Sequence, residues 1–276
     1  MPLIASAQPS ANPETIQVSN RYLELASELD YDGLRSLMAD NARFSDPTGD
    51  VFGGPVSQGL IEGADLIIET QKGWGLSGVE FNPTVSFYVG EYAVHRGMYR
   101  AQFEQGAAWV EIPFVTVHHV RDGKLQERTD FGEYISSFAL GDGFDENTTW
   151  TEVVADQYFQ AYLDGDLDVQ AALVTEEVKF QDPTAQVFGP PSGGLFESSE
   201  ILIERRSKIY ESISDLSFDI ESNFYANHHA VYTGHVQYTA GQGLTFRQPA
   251  IIVIEVRDGV VTRQWDFVDY TIGPLP

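Results

Sequence analysis

The chain has 276 residues, enough for two ordinary domains that each bury their own core. Its formal charge of −25 at pH 7 repels nucleic-acid phosphates and anionic bilayers, so neither is expected as a partner. Zero cysteines exclude disulfides, thiol nucleophiles and thiolate metal sites.

Asn12 can cap a first helix and Pro13 can occupy its first turn, with Tyr22, Leu25, Ala26 and Leu29 recurring at helical spacing. Asp30-Tyr31-Asp32-Gly33 breaks it, and a short helix with Leu34 and Leu37 follows. A strand then ends at Asp46-Pro47, because proline cannot donate to a ladder. Ala64–Lys72 reads as a helix. Four strands follow over Phe81–Val89, Tyr92–Phe103, Trp109–Val120 and Leu125–Tyr134, with a hairpin turn at Asp122-Gly123. Residues 138–146 read as a linker.

The order then repeats. Helical spacing continues through Val153, Tyr158 and Tyr162, a strand ends at Asp182-Pro183, a helix covers Ser199–Ile209, and Asp258-Gly259 makes the hairpin turn. A shift of 136 residues carries Phe44 onto Phe180, Tyr22 onto Tyr158, Asp130-Phe131 onto Asp266-Phe267 and Tyr134 onto Tyr270. Seven of eleven positions are identical between residues 43–53 and 179–189, which marks a duplicated domain. The expected architecture is α+β, with domains over 1–140 and 141–276. A bent sheet around the helices would leave a cavity in each.

Asp46 and Asp182 are the first candidates for chemistry. A carboxylate at the rim of an apolar cavity is desolvated, gains proton affinity, and can move a proton to or from a carbon acid. The competing reading is a capped turn in which the aspartate bonds the following backbone. Tyr22 and Tyr158 lie 24 residues before these aspartates. From the apolar face of a helix each could donate to a developing oxyanion, or serve as a core aromatic with a local partner. Asp130 and Asp266 are further candidates, or else strand-edge charges. The six histidines show no metal spacing that repeats between halves, so no metal site is expected. His235 is the one that strand alternation could turn inward. Neither a phosphate loop nor a dinucleotide fingerprint appears, and no cofactor is expected. Phe44, Phe52, Trp109, Phe180, Phe188 and Trp265 are the aromatic residues expected to contact a substrate.

Arg21-Tyr22-Leu23-Glu24-Leu25, Ala39-Asp40-Asn41-Ala42 and Asp46-Pro47-Thr48-Gly49 together resemble the start of bacterial ketosteroid isomerase. That resemblance implies a tyrosine donor at Tyr22 and an aspartate base at Asp46. The ending Val120-Arg121-Asp122-Gly123-Lys124-Leu125 with Asp130-Phe131 is similar to the SnoaL-like branch of the nuclear-transport-factor-2-like superfamily. It implies two tandem cone-shaped α+β barrels, each a curved antiparallel sheet wrapped around N-terminal helices. In SnoaL-like polyketide cyclases an acid-base aspartate stands in the last strand, where Asp130 and Asp266 fall. The isomerase keeps a protonated aspartate where this chain has Thr116 and Ile252. Limonene epoxide hydrolases use an Arg-x-Asp pair that Arg96-Gly97-Met98 and Thr233-Gly234-His235 do not supply, although His235 could act in the aspartate's place. The tandem layout is similar to polyether epoxide hydrolases.

The expected function is cofactor-independent acid-base catalysis, as isomerase, cyclase or epoxide-opening enzyme, on a hydrophobic polyketide-, terpenoid- or steroid-like small molecule. The alternative is a non-catalytic binder of hydrophobic ligands, or a scaffold. The halves are expected to pair as an intramolecular pseudo-dimer, and whole chains to be capable of pairing further. Met1-Pro2-Leu3-Ile4-Ala5-Ser6-Ala7 lacks the basic start of a secretory leader, and a cytoplasmic location is expected.

Overall fold

Helix α1 (Pro13–Glu28) starts where the sequence places it: the Asn12 side chain accepts from Glu14 N at 3.0 Å, and Pro13 needs no partner for a missing N–H. This is seen in a computed structural model, which describes residues 10–52, 60–139, 145–188 and 193–275. Contacts divide the chain into two compact units, Ala11–Phe144 and a second built mainly from Asp145–Pro276. We call them module 1 and module 2.

In module 1, Thr15, Val18, Ser19, Tyr22 and Leu25 form the buried face of α1. Helix α2 (Tyr31–Leu37), strand β1 (Met38–Ser45) and a 3₁₀ turn (Pro47–Phe52) follow. Then come β2 (Ile61–Glu62), α3 (Ala64–Gly73), β3 (Gly78–Val89), β4 (Tyr92–Gln102), β5 (Val110–Arg121), β6 (Lys124–Gly132) and α4 (Tyr134–Ser137). Module 2 repeats the order as α5 (Asp145–Asp164), α6 (Leu167–Leu173), β7 (Val174–Gln181), a 3₁₀ turn (Pro183–Phe188), β8 (Leu195–Glu197), α7 (Ser199–Tyr210), β9 (Ile213–Ala226), β10 (His229–Ala240), β11 (Leu244–Arg257) and β12 (Val260–Val268). Part of the expected linker, residues 140–144, lies outside the described residues.

The two sheets share one topology, β2-β1-β6-β5-β4-β3 and β8-β7-β12-β11-β10-β9. The β1–β6 and β7–β12 pairings are parallel and the rest antiparallel, so each sheet is mixed. Both stay open at their edge strands and do not close into a barrel. Asp122-Gly123 and Asp258-Gly259 have positive φ at both turn positions, as the two-residue hairpin between twisted strands requires. Gly97 and Gly234 occupy matching places on β4 and β10. A Cβ there would come within 2.1 Å of the Asn82 carbonyl oxygen and 1.9 Å of the Asp219 carbonyl oxygen.

The last strand of module 1 stops two residues short of the sequence expectation. The Glu133 carboxylate accepts from Ser136 N at 3.0 Å and opens α4, so Tyr134 turns out of the sheet. That departure positions the site.

Candidate functional site

Asp46 leaves the end of β1 as the chain enters its 3₁₀ turn. Its Oδ1 accepts from Thr48 Oγ1 at 2.8 Å and Gly49 N at 2.9 Å, while Oδ2 accepts from the Tyr134 hydroxyl at 2.6 Å. Thr48 Oγ1 in turn accepts from Gly132 N at 2.7 Å and ties the turn to the end of β6. Module 2 repeats every bond. Asp182 Oδ1 accepts from Thr184 Oγ1 (2.7 Å) and Ala185 N (3.0 Å), its Oδ2 accepts from Tyr270 (2.6 Å), and Thr184 Oγ1 accepts from Val268 N (2.9 Å). Each aspartate is therefore both a capped turn and a buried carboxylate. Burial pushes Asp46 up to about 7, helped by the negative charge of Asp130, and pushes Asp182 up to about 6.

Tyr22 does not bond to Asp46. Its hydroxyl accepts from Arg128 Nη1 at 2.8 Å and Gln71 Nε2 at 3.0 Å. Arg128 also donates through Nε to Asp130 Oδ1 (2.8 Å) and through Nη2 to Asp130 Oδ2, and Thr116 Oγ1 donates to Oδ1 at 2.6 Å. Both oxygens of Asp130 are thus occupied. Burial lifts the proton affinity of Asp130, against the guanidinium that pulls it down.

Module 2 builds the same centre with two residues exchanged. Tyr158 donates to Gln264 Oε1 at 2.9 Å and accepts from Arg206 Nη1 at 2.8 Å. Arg206 Nη2 also donates to Gln264 Oε1 at 2.5 Å, and Gln264 Nε2 donates to Asp266 Oδ1 at 2.6 Å. Module 1 has its arginine on β6 and its glutamine on α3; module 2 has its glutamine on β12 and its arginine on α7. Among the described residues, Arg206 pairs with no carboxylate. It lies over the rings of Tyr158, Tyr162 and Phe180 at 5.2, 4.9 and 5.7 Å and donates from Nη1 to Gln170 Oε1 at 2.5 Å. Asp266, facing a neutral amide instead of a guanidinium, is pushed to about 7 by burial and by the charge on Asp182.

Each module therefore holds two buried carboxylates that feel each other's charge. Such a pair gives up its protons in two steps, so one member can hold a proton near neutral pH while the other accepts one.

The other sequence candidates spread out. Phe44 is buried under the Arg128 guanidinium at 5.2 Å, and Phe180 sits under Arg206. Phe52 and Phe188, 49% and 48% exposed, lie edge-on to Tyr134 and Tyr270 at 5.0 and 4.9 Å, next to the phenols that serve the aspartates. Trp109 packs under Arg100 at 5.0 Å, outside the carboxylate group. Trp265 alternates with Gln264 and Asp266 along β12 and so faces the other side of the sheet, where Arg263 stacks on it at 4.1 Å. His235 also faces away from Tyr232 and Val236, with its Nδ1 3.0 Å from Glu221.

Several partners are not visible in the sequence pattern. Tyr134 and Tyr270 each follow their aspartate by 88 residues, and that repeated spacing is a usable signal. Gln71 and Arg206 carry none, because the exchange erases identity at both positions. A cluster found in module 1 has no counterpart residues in module 2. Ser19 Oγ lies 2.7 Å from both His95 Nε2 and His118 Nδ1, and His95 Nδ1 lies 2.8 Å from Ser86 Oγ. Burial lowers His95 to about 4 and His118 well below its ordinary value.

No curated protein matches the chain. Among solved structures, a SnoaL-like protein from Shewanella putrefaciens, provisionally described as a polyketide cyclase, is 22% identical. The match covers 47% of this chain and 88% of that one, with a TM-score of 0.40. A nuclear-transport-factor-2-like protein from Burkholderia xenovorans is 18% identical, covering 44% and 91% with a TM-score of 0.38. An epoxide hydrolase of the LEH-like type from M. tuberculosis is 13% identical, covering 44% and 84% with a TM-score of 0.37. The family model for the SnoaL-like domain matches residues 20–128 and again 155–264. With its duplicated Asp-Pro turns, its repeated sheet order and both halves matched, the chain belongs to the SnoaL-like domain family, one copy in each module.

Proposed function

We propose that the protein is a general acid-base enzyme acting on a hydrophobic small molecule of polyketide, terpenoid or steroid character. The observation that carries this reading is the pair of buried carboxylates in each module, Asp46 with Asp130 and Asp182 with Asp266, in which the charge of one raises the proton affinity of the other. The ionised member takes a proton from a carbon acid or a hydroxyl. The protonated member gives one to a carbonyl or epoxide oxygen. No net proton is gained, and isomerisation, cyclisation and epoxide opening all fit that exchange. The exposed rings of Phe52 and Phe188 beside Tyr134 and Tyr270 suit an apolar ligand.

A second reading, a binder without chemistry, draws support from module 1, where both oxygens of Asp130 are occupied and Tyr22 is 1% exposed. The test is Asp46→Asn combined with Asp182→Asn, assayed by mass spectrometry on polyketide, terpenoid-epoxide and steroid-enone substrates. Loss of a proton-transfer group should lower the rate of the turned-over substrate by about 10²–10⁴-fold, with the fold intact. Full activity in the double variant refutes the assignment.

A further inference from the structure

The two modules are not equivalent around their carboxylates, and the differences run in one direction. In module 1 the ring of Tyr99 stacks on Phe114 at 5.1 Å, Phe81 meets Phe114 edge-on at 5.8 Å, and Phe114 packs with Tyr134, the phenol that serves Asp46. Strand register gives the matching residues of module 2. Phe114 pairs with Gly132 where Ala250 pairs with Val268, and Tyr99 pairs with Ile112 where Val236 pairs with Gln248. Two rings beside the first carboxylate pair are thus an alanine and a valine beside the second. The aromatic pair of module 2, Tyr238 stacked on Phe246 at 5.2 Å, lies further along the strands, where module 1 has Ala101 and Val110.

The second carboxylate differs as well. Asp130 is 1% exposed with both oxygens occupied. Asp266 is 5% exposed, and among the described residues only its Oδ1 has a hydrogen-bond partner, Gln264. One helix turn beyond Tyr158, module 2 adds Tyr162, where the 136-residue shift gives module 1 Ala26. The Tyr162 ring is held against Arg206 at 4.9 Å, and its backbone carbonyl accepts from Tyr210 at 2.7 Å. No partner for its hydroxyl is found among the described residues, although the ring is partly buried. The charges of Asp266 and Asp182 both act on that phenol.

We infer that module 2 carries the working site, with Tyr162 as the hydrogen-bond donor to a ligand oxygen, on the side of the sheet where Ala250 and Val236 stand in place of the rings of Phe114 and Tyr99. Tyr158, saturated by Gln264 and Arg206, is then a positioning residue for the pair it holds. The ligand class is an apolar molecule with one carbonyl or ether oxygen, because this part of module 2 offers a phenol and a carboxyl group to oxygen and small aliphatic side chains to the rest. The inference rests on the acid-base reading for the chemistry after binding, but not for the contact itself.

The probe for the test is 2-acetylnaphthalene, an apolar bicycle with one carbonyl, added to the full chain. Fluorescence gives affinity and stoichiometry, and infrared spectroscopy gives the carbonyl stretch. One equivalent is expected to bind, with the stretch moved to lower frequency. Tyr162→Phe should weaken binding about fivefold and move the stretch back, as loss of one net hydrogen bond implies. Ala250→Phe should abolish binding, and Ala250→Ile tests the same point if the larger residue blocks folding. The proposal is overturned if the wild-type chain does not bind the probe. It is also overturned if the stretch is the same in Tyr162→Phe, or if binding is indifferent to both Ala250 variants. Failure of the acid-base reading looks different: the carboxyl bands assigned with Asp266→Asn and Asp182→Asn would titrate in the ordinary carboxylate range while the Tyr162 contact persists.

Discussion

Replacing Asp46 by asparagine isolates what the site costs the fold. The carboxyl is 6% exposed and reaches about 7, against about 3.9 for an aspartate in an unfolded chain. The folded form therefore holds its proton more tightly than the unfolded form. Below the unfolded value both forms are protonated and the group costs nothing; as pH rises from about 4 to about 7 the unfolded form gains, and stability is lost. Three pH units correspond to about 4 kcal/mol at alkaline pH. Asparagine stands in for the protonated carboxyl and keeps an acceptor for Thr48 and Gly49, and the value of about 7 already includes the bonds to the ionised form, so the net gain is about 4 kcal/mol at pH 9. For a module of this size that is a rise of about 12–20 °C in Tm at pH 9 and little change at pH 4. Scanning calorimetry at both pH values decides it. An equal Tm shift at the two, or a fall at pH 9, would refute the claim that the buried charge is the dominant cost.

Two further outcomes come from the same geometry. Arg128→Gln removes the guanidinium that Asp130 and Tyr22 share and should cost about 3–5 kcal/mol in chemical denaturation. Adding Gln71→Arg rebuilds the arrangement of module 2 and should restore at least half of that loss, and strict additivity of the two changes would contradict it. His95 and His118 are buried and lowered, so the unfolded chain binds protons first: their contribution is complete above about 6.5 and falls as pH drops toward about 4. Hydrogen exchange of α1, whose Ser19 lies against both imidazoles, should accelerate over that interval.

The duplication, the Asn12 cap of α1, the Asp-Gly hairpins and the two Asp-Pro turns are legible in the sequence, because local chemistry decides them, whereas Asn147-Thr148-Thr149, which reads as the opening of the second leading helix, falls inside α5. The hidden part depends on sheet register. Trp265 and Asp266 are neighbours in the chain, yet a strand sends them to opposite faces, and only the pairing of β12 with β11 says which face is inside. Tyr134 has the pattern of a strand end, and only the Glu133 cap turns it back to Asp46. The partners of Tyr22 come from α3 and β6, 49 and 106 residues away, and no local pattern announces them.

The exchange of arginine and glutamine explains why one duplicated core supports two different carboxylate pairs. Each tyrosine on the leading helix needs a donor at its hydroxyl, and each core houses one guanidinium among aromatic rings to supply it. On β6 that cation stands two residues from Asp130, pairs with it, and fills both of its oxygens. On α7 the cation still reaches Tyr158, but a glutamine now stands between it and Asp266. Gln264 accepts from the arginine and gives a neutral hydrogen bond to the carboxyl, so burial is opposed first by that dipole and less by the charge of Arg206 behind it. Asp266 reaches about 7, and among the described residues its Oδ2 has no hydrogen-bond partner. Moving a single positive charge from strand to helix thus leaves the tyrosine satisfied and changes only the proton affinity and availability of the carboxylate. That is a route by which one copy can retain structure while the other keeps chemistry.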